Sequence, residues 1–142
     1  MLLLLALALM LAIVCALLTF KESYEHLVVG QSGTIPESRG VFATRPFARG
    51  EIVERCPVVQ QRDEDLAGNL GDYVFNLGEG TVGVALGYGS LYNHSRNPHL
   101  DYAYDPDRNE MVFTARRPIR SGEEIFASYG DGWWTSRGMK PK

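Results

Sequence analysis

The side chains best placed to do chemistry in this chain lie in two tracts of its C-terminal half. The first, Gly87-Tyr88-Gly89-Ser90-Leu91-Tyr92-Asn93-His94-Ser95-Arg96-Asn97-Pro98-His99, sets a carboxamide, two imidazoles and several hydroxyls among glycines. The second, Gly122-Glu123-Glu124-Ile125-Phe126-Ala127-Ser128-Tyr129-Gly130, carries a strand-like run into a tyrosine followed by glycine. A third stretch, Gly78-Glu79-Gly80-Thr81-Val82-Gly83, matches the dinucleotide fingerprint letter for letter. That fingerprint holds a pyrophosphate at the N-terminus of a helix within a βαβ unit. The residues that follow it here, Val84-Ala85-Leu86-Gly87, are β-branched and glycine-broken, so a turn is expected and a nucleotide site is not.

The elements that must position these tracts are short. Strand-like runs fall at His26 to Val29, Gly40 to Thr44, Glu51 to Val59, Tyr73 to Leu77, Thr81 to Leu86, Leu100 to Tyr104, Met111 to Thr114 and Glu124 to Ser128. Gly, Pro, Asn and Asp punctuate them, which predicts a mainly β domain with tight turns. Asp105-Pro106-Asp107-Arg108-Asn109 reads as a hairpin turn. Asp63 to Asp72 is a weak helix candidate, with Gly68 and Gly71 against it.

With 142 residues and 45% hydrophobic content, the chain accommodates one domain with a real core. A net charge of −3 argues against direct nucleic-acid binding and is compatible with a basic peptide partner. Two cysteines, Cys15 and Cys56, exclude a disulfide framework and a multi-cysteine zinc cluster, so no metal site is expected. Leu2 to Phe20 is an unbroken apolar run able to span a hydrocarbon core of roughly 30 Å as a helix. It reads as a single-pass membrane anchor, with a cleaved signal peptide ending near Val14-Cys15-Ala16 as the competing reading. The expected organisation is a hydrophobic leader over 1–20, a linker over 21–27, the folded domain over 28–134 and a tail over 135–142.

Asn93-His94-Ser95 with the following Pro98, and then Tyr129-Gly130 at a strand end, resemble the signature motifs of SET-domain protein lysine methyltransferases. The resemblance covers nearly all of the chain beyond the leader and is nearest the compact, virus-type members. It implies a β-clip fold of small sheets through which a C-terminal segment is threaded. It also implies transfer of a methyl group from S-adenosylmethionine to a lysine of a protein or peptide, histone tails being the family's commonest substrates. A membrane leader would fit poorly with chromatin and would point to another protein substrate; without it a nuclear or soluble location is expected. A catalytically silent SET-like module that binds peptides is the rival implication.

The resemblance distributes roles by position. Ser38-Arg39-Gly40-Val41-Phe42-Ala43 stands where the family has Gly-x-Gly, which assigns cofactor contact to Arg39 and Gly40, and a positive φ at Ser38 would be strained. Asn93 and His94 would hold the cofactor, with Tyr88 and Ser90 lining its pocket. His99 replaces the motif's final Asn and forfeits one family hydrogen bond. Tyr129 would be catalytic, its hydroxyl facing the reacting amine, and Tyr73, Tyr102 and Phe126 would line the substrate channel. Ala127 stands where other members carry Phe or Tyr, and a tyrosine hydroxyl in the channel, as at Tyr102, can hold an amine or a water and predicts restricted methylation. Tyr73-Val74-Phe75 is expected as an edge that captures an extended peptide. Trp133 and Trp134 stand in place of a zinc-binding segment: one, with Trp133 taken as the cofactor contact, would cover the adenine or the lysine channel and the other would serve a homodimer contact, or, equally, both form a C-terminal hydrophobic plug.

Overall fold

Among the residues described by the computed structural model, Met10 and 25–140, the alternating apolar runs fold as strands. They are β1 (Leu27–Gln31), β2 (Arg39–Ala43), β3 (Ile52–Arg62), β4 (Val74–Gly78) and β5 (Thr81–Ala85). There follow β6 (Asn93–His94), β7 (Leu100–Asp105), β8 (Glu110–Ala115), β9 (Glu124–Ala127) and a short helix α1 (Asp131–Thr135). Each expected run contains a strand; β6 was not foreseen, because two residues give no periodicity to read. The helix candidate at Asp63 to Asp72 resolves into 3₁₀ turns at Asp63–Asp65 and Gly68–Asp72, as its glycines imply. The run from Leu2 to Phe20, expected as a membrane anchor, lies outside the described residues apart from Met10. No helix among the described residues is long and apolar enough to cross a membrane.

Turn chemistry acts where it was read. Between β7 and β8 the Asp105 carboxylate accepts the N–H groups of Asp107 and Arg108 at 3.1 and 3.3 Å, and Asn109 takes a φ of 53°. Gly78, Glu79 and Gly80 all have positive φ and close the β4–β5 hairpin, so the fingerprint-like stretch is a turn.

Two sheets form, ordered β1-β2-β9-β6 and β4-β5-β3-β8-β7. The long β3 serves two partners, pairing β8 as far as Pro57 and β5 from Val58 onward. A register shift against β8 between Ile52 and Glu54 inserts one extra residue. The resulting bulge breaks the in-out alternation, so the neighbours Val53 and Glu54 are both buried. In the smaller sheet β9 runs antiparallel to β2 and parallel to β6. The segment after β6 stays on β9, with the N–H groups of Ser95 and His99 donating to Ala127 and Phe126 carbonyls at 3.1 and 2.9 Å. The last strand is thus enclosed between β2 and the β6 segment, giving the mainly β fold of small sheets with a threaded C-terminal segment.

Phe113, Leu100, Ile119, Ile125, Val41 and Cys56 are all but inaccessible and form the centre of a core that both sheets share. Burying a side chain such as Phe113 stabilises the fold by about 1.5–3 kcal/mol. Cys56 behaves as a small hydrophobe there; burial raises its thiol pKa strongly, which removes it from nucleophilic chemistry.

Candidate active site

The edge strands of the larger sheet, β4 and β7, curl toward each other until Phe75 and Tyr102 meet edge to face at 5.1 Å between centroids. Beside them opens a cavity of about 780 Å³ whose walls include Tyr73, Phe75, Tyr102, Ala127, Tyr129 and Trp133. A second cavity of about 500 Å³ is walled by Arg39, Gly40, Ser90, Asn93, Tyr129 and Trp133, among others. Asp72, Tyr73, Ser90, Tyr129 and Trp133 face both. The two motif tracts, distant in sequence, therefore meet where the cavities adjoin.

Asn93 reaches this place because β6 pairs with β9 in the register Asn93↔Phe126. Its amide nitrogen donates to the Arg39 carbonyl at 2.9 Å and to Glu124 Oε1 at 3.0 Å. The other oxygen of Glu124 accepts the Ser32 hydroxyl at 3.0 Å and the Gly33 N–H at 3.2 Å. This buried carboxylate thus ties the β1–β2 loop to the Asn93 side chain. Gly40 makes the arrangement sterically feasible: a Cβ there would lie 2.7 Å from the Glu124 carboxyl carbon. Its φ is not positive, so close approach, not backbone freedom, demands glycine. Gly40→Ala should therefore destabilise the domain by about 1–3 kcal/mol, seen in thermal unfolding, because Glu124 must move. An unchanged melting curve would show that the carboxylate is not held there. Ser38 likewise has no positive φ; the strained residue of the loop is Glu37, at 59°.

Tyr129 donates its hydroxyl proton to the Tyr92 carbonyl at 2.9 Å, and Tyr102 donates to the Ser128 carbonyl at 2.8 Å. Both protons are committed to backbone, so each phenol oxygen offers its lone pairs to the larger cavity. Burial, reinforced by Tyr73, Asp72 and Tyr102, pushes the Tyr129 pKa up to about 12. Burial also raises that of Tyr102. Neither is a base at neutral pH.

Three of the expected contact residues sit elsewhere. Phe126 lines neither cavity; strand alternation turns it away from the side where Ala127 faces the larger cavity, and it stacks on His99 at 5.7 Å. Tyr88 packs on the core and gives its N–H to Glu54 at 2.9 Å. His94 is absent from both cavity walls, and its Nδ1 accepts the Tyr129 N–H at 3.1 Å. Burial, with Arg96 nearby, lowers the His94 pKa and favours the neutral ring that this acceptor role needs. Ser90 does face both cavities, while its hydroxyl accepts from Ala85 N–H and donates to the Tyr73 carbonyl, so it fixes the wall it belongs to.

His99, where the motif has Asn, is buried and fully used. Its Nδ1 accepts the Phe126 N–H at 3.1 Å, which leaves Nε2 to donate to Glu123 at 3.0 Å. The substitution thus pins β9 in its own way. Trp134 is 7% exposed and packs on His94 at 4.9 Å, turned into the interior, while Trp133 lines both cavities. Glu54, Glu124, Ser32 and Arg137 were missed. The signal for Glu124 was its place in the Gly122-Glu123-Glu124 run of the second motif; nothing local marked the others.

The fold and the two motif tracts together define a SET domain. A family model described as SET domain matches residues 38–130. A histone-lysine N-methyltransferase of Schizosaccharomyces pombe, H3 lysine-37 specific, is 34% identical over 103 residues, which is 69% of this chain and 70% of that protein. A crystal structure of a Plasmodium falciparum protein assigned as a histone methyltransferase is 34% identical, with a TM-score of 0.65, over 77% of this chain and 96% of that one. Polycomb repressive complex 2 of Chaetomium thermophilum, in an autoinhibited conformation bound to S-adenosylmethionine, contains the same fold at 24% identity. Its TM-score is 0.62, over 74% of this chain and 15% of the other. The chain belongs to the SET-domain family, and its activity is of the protein-lysine N-methyltransferase class.

Proposed function

We propose that this chain methylates a lysine of a histone-like protein, with S-adenosylmethionine in the smaller cavity and the lysine side chain in the larger. The observation that carries the reading is the junction: Tyr129 faces both chambers, so a donor in one and an acceptor in the other would meet at its hydroxyl. Support for the cofactor comes from the smaller chamber itself. Its volume of about 500 Å³ lies within the range of small-molecule sites. The Asn93 amide nitrogen is already committed to protein, so the amide oxygen is the end left to accept from a cationic amino group. Trp133 offers an aromatic face, and Arg39 and Gly40 offer backbone. When bound, the cofactor supplies a methyl group activated on a sulfonium.

The chain's own residues align, desolvate and accept. The Tyr129 oxygen can receive an N–H of the neutral lysine amine or polarised C–H groups, and Tyr102 can hold the amine from the other side. An extended peptide would pair by its backbone with an edge strand of the larger sheet, β4 or β7, with side-chain pockets to select sequence. The Tyr102 hydroxyl, able to hold an amine or a water, favours a limited number of added methyl groups. The S. pombe relative's substrate makes histone H3 the first protein to try, and a chromatin substrate favours a nuclear place of action over a membrane one. The departures at Ser38 and His99 do not argue for a silent module, because the first is unstrained and the second keeps its strand pinned.

The test is calorimetric titration of the full chain with S-adenosylmethionine, with transfer of radiolabelled methyl to histones. Absence of both binding and transfer would overturn the reading. The rate should climb with pH as the lysine amine, near pKa ~10.4, loses its proton. Tyr129 adds no inflection near neutral pH, since its hydroxyl, raised to about 12, stays protonated there. For stability the direction is the opposite: a phenol whose folded-state pKa is raised contributes fully below about 10 and loses that contribution as pH rises through about 12.

A further inference from the structure

Arg137 lies in the segment expected as the C-terminal tail, and it is among the most heavily bonded side chains of the site. Its Nε donates to Asp72 Oδ1 at 2.9 Å and one terminal nitrogen to the Gly71 carbonyl at 2.7 Å. The other donates to the Trp133 carbonyl at 3.0 Å and the Ser136 hydroxyl at 3.2 Å. The guanidinium lies 4.1 Å over the Trp133 ring. That ring touches Tyr129 at 4.9 Å and Trp134 at 4.7 Å between centroids. One cation therefore joins the C-terminal helix turn to the Gly71-Asp72-Tyr73 segment, and through Trp133 it reaches the tyrosine at the chamber junction.

Helix α1 has five residues and no side-chain cap at its N-terminus, so it has little intrinsic reason to persist. Trp133 is half-buried and forms a wall of both chambers. Something must hold α1 in place, and the fork of Arg137 has the geometry to do so. A guanidinium can meet a carboxylate, a carbonyl and an indole face at once, which a single ammonium cannot.

We infer that Arg137 is a positioning residue for methyl transfer, a clasp that holds Trp133 as the common wall of the cofactor and lysine chambers. The inference rests on the assignment of the two chambers proposed above. It places this residue outside the reacting atoms, acting through Trp133 and Tyr129. Its loss should loosen cofactor binding and raise the KM for cofactor more than it lowers kcat.

The test compares wild type, Arg137→Ala, Arg137→Lys and Asp72→Asn in the full chain. Two readouts are used: near-ultraviolet circular dichroism and tryptophan emission without cofactor, and S-adenosylmethionine titration by calorimetry. Arg137→Ala should lose tryptophan dichroism, shift emission to the red and weaken cofactor binding by about tenfold, the scale of a lost hydrogen bond to a charged group. Arg137→Lys should recover only part of the signal. Asp72→Asn, which keeps the shape and removes the charge, should fall between, and it serves if Arg137→Ala does not fold. Wild-type tryptophan signals and affinity in Arg137→Ala would overturn the clasp. If wild type itself fails to bind the cofactor, the chamber assignment fails, and the dichroism alone still decides whether Arg137 holds Trp133.

Discussion

Replacing Tyr129 by Phe is expected to lower kcat by about 10²–10³-fold, the scale seen when one preorganised polar contact to a transition state is removed. The ring stays, so its contacts with Trp133 and His94 persist and the junction keeps its shape. What disappears is the hydroxyl of a residue that lines both chambers, together with its hydrogen bond to the Tyr92 carbonyl. The Tyr92 carbonyl left without this partner sets the stability loss at about 1–3 kcal/mol. Cofactor affinity should change little, because the Asn93 end of the smaller chamber is untouched. Single-turnover transfer of radiolabelled methyl, run beside a calorimetric titration and a thermal melt, separates these quantities. A variant that keeps wild-type kcat would remove Tyr129 from the reaction.

Glu54→Ala should be among the most destabilising single substitutions in the domain, by about 3–5 kcal/mol out of a total of the order of 5–15. The side chain is wholly buried and accepts the Tyr88 N–H and the Tyr92 hydroxyl, both at 2.9 Å. Removing it leaves two donors without an acceptor, at about 1–3 kcal/mol each, and opens a cavity beside Tyr92 and Cys56. Function should follow, since Tyr92 is the residue whose carbonyl positions the Tyr129 hydroxyl. Burial outweighs these hydrogen bonds in setting the Glu54 pKa, which is raised. The group's contribution is therefore fully present below the ordinary carboxylate range and declines as pH rises through the folded-state value. Denaturant titrations at acid and neutral pH should show the gap between wild type and variant narrowing toward neutrality. A gap that widened instead would mean that Glu54 is stabilised as the ionised form.

How much of this was legible in the sequence depends on the distance over which each signal acts. The strands β1 to β5 and β7 to β9 could be read because side chains alternate within a few residues. The Asp105 to Asn109 hairpin and the Gly78 to Gly80 turn were equally local, fixed by Asx bonding and positive φ. Asn93 and Tyr129 stood out as motif positions, and the structure brings them to one junction. Phe126 was misplaced because proximity in sequence to Tyr129 says nothing about which face of β9 it occupies.

By itself, then, the sequence determined the mainly β class, the turns and the motif residues, all of which depend on neighbours along the chain. The tertiary structure alone decided the rest. The bulge that buries Glu54 depends on how β3 registers against β8, and the Asn93–Glu124 pair depends on β9 being held between β2 and β6. The closeness that demands glycine at Gly40, the turning of Trp134 into the interior and the reach of Arg137 across to Asp72 arise only when remote segments pack. Steric contact and desolvation are set by whatever surrounds a side chain, and for these residues the surroundings come from elsewhere in the chain.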